Sequence, residues 1–218
     1  MALQINGNAV SNVLFNGTTV NEVYYNKNCG YTVVGSPTIS DGVVSGFSQS
    51  SYCYIANTIN NLQITECNCK INIPSSALGQ KTYYQIFYSA LAITVYSGAS
   101  AFVNLGFYLQ GIGNLLINHD LQPNSDYWIK YTNDGTNCNA WWSDDGINYA
   151  AGQSKPLSSM ISQTTNTVIG LRSGAGQTNG DRIFPGSIDL KNTYIKVNGI
   201  TFFNGKQAAS NAVWTRGA

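Results

Sequence analysis

The chain has 218 residues, a length that ordinary domain sizes read as one large domain or one domain with a small module. Charged residues are 10% of it against roughly 25% in an average soluble domain, the net charge is +1, and aromatics reach 12%, with 14 tyrosines. The 11 basic residues are scattered singly, no apolar run would span a bilayer, and 43% of the chain is hydrophobic, which argues against nucleic-acid binding, membrane insertion and disorder.

The first thirty residues contain a repeat. Ile5-Asn6-Gly7-Asn8-Ala9-Val10-Ser11-Asn12-Val13-Leu14 aligns with Phe15-Asn16-Gly17-Thr18-Thr19-Val20-Asn21-Glu22-Val23-Tyr24 at a period of ten, and a truncated third copy begins at Tyr25-Asn26-Lys27. Asn-Gly is the favoured centre of a type I′ turn because both residues take positive φ cheaply, and the flanking Val and aromatic residues favour strands. A small meander of tight hairpins is predicted over residues 1–30. The opening Met1–Gly7 has neither a basic start nor an apolar segment, so no signal peptide is expected.

From Tyr31 onward short strands alternate with turns. Strands are predicted at Tyr31 to Val34, Thr38 to Ile39, Val43 to Phe47, Tyr52 to Ile55, Leu62 to Ile73, Thr82 to Tyr88, Ala92 to Tyr96, Phe102 to Leu109 and Leu115 to Ile117. Further strands follow at Tyr127 to Thr132, Cys138 to Ser143, Thr167 to Leu171, Arg182 to Leu190 and Tyr194 to Val197. Each carries β-branched or aromatic residues bounded by Gly, Ser, Asn or Pro; only Ser75 to Gln80 and Leu157 to Ile161 read as brief helical turns. This spacing, with period-two alternation and no long helix, predicts an all-β antiparallel sandwich. Near the C-terminus, Val197-Asn198-Gly199-Ile200 and Phe203-Asn204-Gly205-Lys206 repeat the Asn-Gly chemistry, so this segment is expected to pair with, or resemble, the N-terminal repeat. The chain holds 26 asparagines, but the regular register of both copies favours real hairpins over chance.

Cysteines number five, at 29, 53, 67, 69 and 138, and without an export signal they read as reduced thiols. Alternation places Cys67 and Cys69 on the strand face shared by Ile71 and Ile73. Their spacing and the single histidine, His119, make no zinc pattern, so core packing is expected and no cofactor is implied.

Several segments together are similar to one family. Tyr127-Trp128-Ile129-Lys130-Tyr131, Asp134-Gly135-Thr136, Trp142-Ser143-Asp144-Asp145-Gly146-Ile147-Asn148-Tyr149, Ile169-Gly170-Leu171 and Phe184-Pro185-Gly186-Ser187-Ile188-Asp189-Leu190 resemble, in order and spacing, the second half of concanavalin A-like, laminin-G-like jelly rolls. The resemblance covers about Tyr31 to Val197 and implies a concanavalin A-like jelly-roll sandwich over 31–218, ending in a C-terminal hairpin and tail. Phe15 to Asn26 resembles the N-terminal hairpins of bacteriophage tail and fibre proteins. That implies a virion structural protein, a tail or head fibre or decoration subunit. It would be assembled in a bacterial cytoplasm, with residues 1–30 for attachment or oligomerisation. Other virion proteins, sister copies in a homo-oligomer and a host surface glycan are the partners so implied.

Chemistry competes with packing for the same residues. Glycosidases of this fold need paired carboxylates, yet the chain has two glutamates, Glu22 and Glu66, far apart, and most of its eight aspartates stand in turn contexts. His119 has no nucleophile beside it and reads as a solvated loop residue, so no reaction is expected. For calcium, Asp144 and Asp145 are weak candidates, and a type I′ turn centred on Asp145-Gly146 competes with them. Glycan binding has most support, since neutral sugars pair aromatic platforms with amide and carboxylate groups. Its candidates are Trp128, Trp141, Trp142, Asp144, Asp145, Asn148 and Tyr149. Adjacent tryptophans must point to opposite faces, so one of Trp141 and Trp142 is expected in the core, and Trp128 is expected to face away from Tyr127 and Ile129. Candidate assembly residues are Phe15, Asn16, Gly17, Val20, Tyr24, Tyr25 and Trp214, the last docking on a neighbouring subunit. The competing functions are a free-standing lectin and a polysaccharide depolymerase.

Overall fold

A computed structural model describes residues 31–172 and 182–205, apart from the side chains of residues 56 and 57, and the backbone of four short segments nearer the N-terminus. Those segments are strands β1 (Gln4–Ile5), β2 (Asn8–Ala9), β3 (Leu14–Phe15) and β4 (Thr18–Thr19). Ile5 lies opposite Asn8 and Phe15 opposite Thr18, so each pair leaves two residues, Asn-Gly, to connect it. The ten-residue hairpin repeat is thus present in the backbone pairing. Asn16, Gly17, Val20, Tyr24, Tyr25 and Trp214 lie outside the described residues, as does the side chain of Phe15.

The remaining strands are β5 (Thr32–Val34), β6 (Thr38–Ser40), β7 (Val43–Ser45), β8 (Tyr52–Asn60), β9 (Ile64–Asn72), β10 (Tyr83–Tyr88), β11 (Ala92–Ser97) and β12 (Phe102–Leu109). After them come β13 (Gly113–Leu116), β14 (Asp126–Asn133), β15 (Asn137–Ser143), β16 (Ala150–Pro156), β17 (Thr164–Ile169), β18 (Ser187–Val197) and β19 (Ile200–Asn204). They form two antiparallel sheets, one ordered β13-β12-β11-β10-β17-β8-β5 and the other β16-β15-β14-β9-β18-β7-β6, with β19 on β18. Successive segments of the chain alternate between the sheets, and the result is the expected all-β jelly-roll sandwich. The predicted helical turns are single 3₁₀ turns, Ser75–Ala77 and Leu157–Ser159. Among the described residues no helix is long and apolar enough to cross a membrane.

Alternation builds the core. Tyr127, Ile129 and Tyr131 of β14 and Cys67, Cys69 and Ile71 of β9 point inward from one sheet, against Ile93, Val95, Leu105 and Phe107 of the other. The Phe107 and Tyr131 rings meet across the sandwich with centroids 5.7 Å apart, and the Tyr131 hydroxyl lies 3.2 Å from the Cys138 sulfur, so this fully buried group is not left unpaired. Cys53, Cys67, Cys69 and Cys138 are buried free thiols, as the alternation of β9 indicates for Cys67 and Cys69. Burial pushes the Cys53 and Cys69 thiols up to about 12.

Tight turns fall where the sequence places Asp-Gly and Asn-Gly. Asp41-Gly42 joins β6 to β7 with φ of 48° and 78°, and Asn198-Gly199 joins β18 to β19 with φ of 51° and 77°. The C-terminal strand therefore folds back on β18. Two readings are corrected. Arg182 to Gly186 lies outside β18, because Pro185 lacks an N–H for a ladder and Gly186 sits hard against the Asn72 carbonyl. The break expected between Leu190 and Tyr194 is a register shift within one strand, closed by hydrogen bonds from Asn192 and Thr193 to Asp189.

Strand β16 went unpredicted, since Ala-Ala-Gly-Gln-Ser-Lys-Pro has no β-branched or aromatic residue. It is an edge strand, and side chains tie it to β13, the edge of the other sheet. Lys155 donates to the carbonyls of Ile112 and Asn114 at 3.3 and 2.7 Å, and the Gln153 side chain accepts from the Leu116 amide at 3.0 Å.

Candidate functional site

The outward face of the seven-stranded sheet carries a cavity of about 480 Å³, within the range of small-ligand sites. Its trough exists because small residues sit in mid-sheet. Ala92, Thr94 and Gly106 occupy outward positions on β11 and β12, and larger outward side chains stand around them. Gly106 is required, since a Cβ there would strike the Leu115 carbonyl of β13.

Strand β10 supplies the floor. Gln85 pairs with Thr94, but Phe87 pairs with Ile93, so one extra residue is inserted in β10. This bulge lets Ile86 and Phe87 both enter the core while Gln85 and Tyr88 face the cavity. The Gln85 amide NH₂ donates to the Phe87 and Ile93 carbonyls that the bulge would otherwise strand. Both its donors are spent inside the protein, and its carbonyl oxygen accepts nothing from the described residues. The Gln85 side chain is thereby fixed as an acceptor at the cavity floor.

Tyrosines border the trough. Tyr108 is 43% exposed and offers its ring to an apolar sugar face, whereas Tyr83, 40% exposed, packs on Tyr96 with ring centroids 4.8 Å apart. Tyr108 stands opposite Ala92 on one side and Asn114 on the other. Hydrogen bonds fix the backbone of the wall residues Gln110 and Gln163. The Ile161 amide donates to the Gln110 carbonyl, while buried Asn61 exchanges two hydrogen bonds with the backbone of Gln163.

Two arginines complete the lining. The Arg182 carbonyl accepts from the Gln85 amide at 3.1 Å, and its guanidinium lies over the Tyr83 ring at 5.8 Å. Arg172 lies over Tyr88 at the same distance. It follows Gly170, whose N–H donates to the Ile86 carbonyl at 2.8 Å. Among the described residues the lining offers aromatic rings, amides and cations but no carboxylate. Among the described residues no cluster of three or more His, Cys, Asp or Glu is placed to hold a metal.

The residues singled out from the sequence lie elsewhere. Trp128, Trp141 and Tyr149 share the outer side of the eight-stranded sheet, whereas Trp142 lies on the inner side of β15. As alternation requires, Trp142 packs on the core, and Trp128 points away from Tyr127 and Ile129. His119 is half-buried rather than solvated, and its ring stacks flat on Trp142 at 3.7 Å, which removes apolar edge from water. On the outer side each candidate already has an internal partner. Lys70 stands over Trp128 at 4.8 Å and Lys130 over Tyr149 at 3.8 Å; the Tyr149 hydroxyl donates to Asn68, and the Trp141 N–H to Thr132.

Asp144, Asp145 and Asn148 lie in the loop after β15. Asp145 Oδ1 accepts from Ser143 Oγ and from the amides of Ile147 and Asn148, and Oδ2 accepts from the Asn148 side chain, all within 2.7 to 2.8 Å. These donors hold the carboxyl well below the usual carboxylate range. The turn is not type I′, because only Gly146 of the pair has positive φ, 74°. Gly146 is needed there for closeness too: a Cβ would come within 2.8 Å of the Trp128 indole.

The same face carries a charged network. Burial pushes the Glu66 carboxyl up, but hydrogen bonds from Lys196 and Tyr194 outweigh it and hold the group below its ordinary value. Lys70 bridges Asp126 at 2.9 Å and Asp189 at 3.5 Å.

No family model matches the chain, and no curated protein matches it. Among solved structures it is similar to a native heptameric SAP-like pentraxin from Limulus polyphemus, at 10% identity and TM-score 0.45 over 70% of each chain. It is also similar to domain 4 of an extracellular arabinanase from Geobacillus stearothermophilus, in complex with arabinotriose, at 12% identity and TM-score 0.46 over 83% of this chain and 86% of that one. A carbohydrate-binding module from Bacillus subtilis matches at 10% identity and TM-score 0.41, over 78% of this chain and 97% of that one. With TM-scores below 0.5 these likenesses bear on nothing the chain does, and its sandwich rests on its own strand pairing.

Proposed function

We propose that this chain is a carbohydrate-binding jelly roll whose site is the cavity on the seven-stranded sheet, and that it works by binding without reaction. The observation that carries the reading is the composition of that cavity. Three tyrosines, the side-chain amides of Gln110, Asn114 and Gln163 and a spent-donor glutamine, Gln85, surround a trough on an open sheet face. Sugars present hydroxyls and an apolar ring face, and such a lining answers both. The carboxylate-free lining is what favours binding over hydrolysis.

In this reading the jelly roll, residues 31–218, belongs to a virion structural protein, a tail or head fibre or decoration subunit. The hairpin repeats of residues 1–30 attach it to other virion proteins or to sister copies in a homo-oligomer, and the ligand is a host surface glycan. The repeat and the low-charge surface support this placement.

A glycan array probed with the full chain tests the binding site. Bound saccharides should be lost on Tyr108→Ala with the melting temperature nearly unchanged, because the side chain is 43% exposed. Silence across the array, or unaltered binding by the variant, would overturn the assignment. Deleting residues 1 to 28 tests the placement: normal incorporation of the truncated chain into particles would refute it.

A further inference from the structure

Resting on the carbohydrate reading of the same cavity, we infer that its ligand is an acidic polysaccharide whose carboxylates are taken by Arg172 and Arg182. The chain has only three arginines, and two of them line this one cavity. All four ion pairs among the described residues use lysine, whereas the Arg172 and Arg182 guanidinium groups meet tyrosine rings and no described carboxylate. A guanidinium that only approaches a ring, at 5.8 Å, keeps its N–H edge available, and that edge matches a carboxylate in two parallel hydrogen bonds.

Charge selects the ligand further. Among the described residues the cavity lining holds two cations and no acid, although the net charge of the whole chain is +1. A low-charge chain with no basic patch has little general attraction for polyanions, so the two guanidiniums act locally. Their tyrosine partners begin and end β10, and with the bulged residue discounted four strand steps at ~3.3 Å each set those positions about 13 Å apart. Cations held at the two ends of this strand suit an extended chain bearing an acid at intervals better than a single sugar. Tyr108, Gln85 and Asn114 then face the neutral rings and hydroxyls between.

The test uses the full chain with size-defined oligogalacturonates and hyaluronan oligosaccharides, their carboxyl-reduced forms, neutral oligosaccharides, and polyglutamate as a carboxylate polymer without sugar. Expected is binding to at least one uronate oligosaccharide that is lost on carboxyl reduction and falls at least about tenfold in either Arg172→Gln or Arg182→Gln. It should weaken with added salt. Melting temperatures of both variants should match the parent, since the Gln85 amide uses only the backbone carbonyl of residue 182. Tyr108→Ala should abolish the same binding. Neutral saccharides bound as well as acidic ones, with the arginine variants unaffected, would overturn the inference while leaving a carbohydrate site standing. Equal binding of polyglutamate would overturn it as mere charge attraction. No binding to any saccharide would remove both this inference and the reading beneath it.

Discussion

Replacing Gly170 by alanine is expected to destabilise the sandwich by about 4 kcal/mol, from two sources that can be separated. Gly170 sits at φ 91°, outside the range L side chains adopt comfortably, and holding alanine there costs about 2 kcal/mol. A Cβ would also overlap the Phe47 ring, which supplies all three of the nearest atoms and packs on Phe184 with centroids 6.3 Å apart. Pushing that ring aside in a close-packed core costs about 2 kcal/mol more. For a domain of this size the sum lowers the melting temperature by about 8 to 16 °C. Thermal denaturation of the parent, Gly170→Ala, Phe47→Leu and the double variant forms a cycle. The smaller side chain makes room, so alanine should cost only about 2 kcal/mol in the Phe47→Leu background, leaving a coupling near 2 kcal/mol. A cost for Gly170→Ala below about 0.5 kcal/mol, or a coupling near zero, would refute the packing argument.

Two further outcomes are accessible to simple measurements. With Cys53 and Cys69 raised to about 12 by burial and Cys67 and Cys138 raised as well, alkylation of the native protein at pH 8 should leave all four unmodified in a peptide map. Modification of Cys67 at the rate of a free thiol would contradict the packing of β9. Glu66 and Asp126 both titrate below their ordinary values of 4.5 and 3.8, so their contribution to stability is complete above those values and is lost as pH falls through the lowered ones. Melting temperature should therefore drop from about pH 4.5 downward, with Glu66→Gln flattening the profile by about 1 kcal/mol or less; a variant as acid-sensitive as the parent would assign the transition to other groups.

Much of the fold was legible because its signals are local. Period-two alternation in Tyr127 to Thr132 and Gln63 to Ile73 located two neighbouring strands and their core faces, and Asp-Gly and Asn-Gly located turns whose φ values only such residues take cheaply. β16 was invisible because its pairing is set by the partner strand, and its residues carry no propensity of their own. The cavity was hidden for a different reason. Tyr83, Gln85, Tyr88, Thr94 and Tyr108 are all outward positions of predicted strands, but the bulge in β10 and the register of four strands bring them together, and neither can be read from one strand. The tryptophans drew the eye because aromatic rings suit both sugars and sandwich packing. Here Trp142 packs on the core with His119 stacked upon it, while Trp128 stands on the outer face with Lys70 over its ring. One signal was available and unused: in a chain with three arginines, two fall at residues 172 and 182.

The ties between β13 and β16 make the sandwich lopsided. On that flank, Lys155 and Gln153 fasten the margins of the two sheets to each other, and Pro156 ends β16 without an N–H to offer. At the opposite flank of the described strand order stand β5 and β6, three residues each, with Val33 and Ile39 both 41% exposed. There the chain itself crosses from sheet to sheet through Gly35, Ser36 and Pro37, and the Ser36 amide donates to Ser51 Oγ at 3.1 Å. The two sheets are thus held by side chains on one flank and by backbone on the other, so loss of Lys155 and Gln153 would free only the first margin to part.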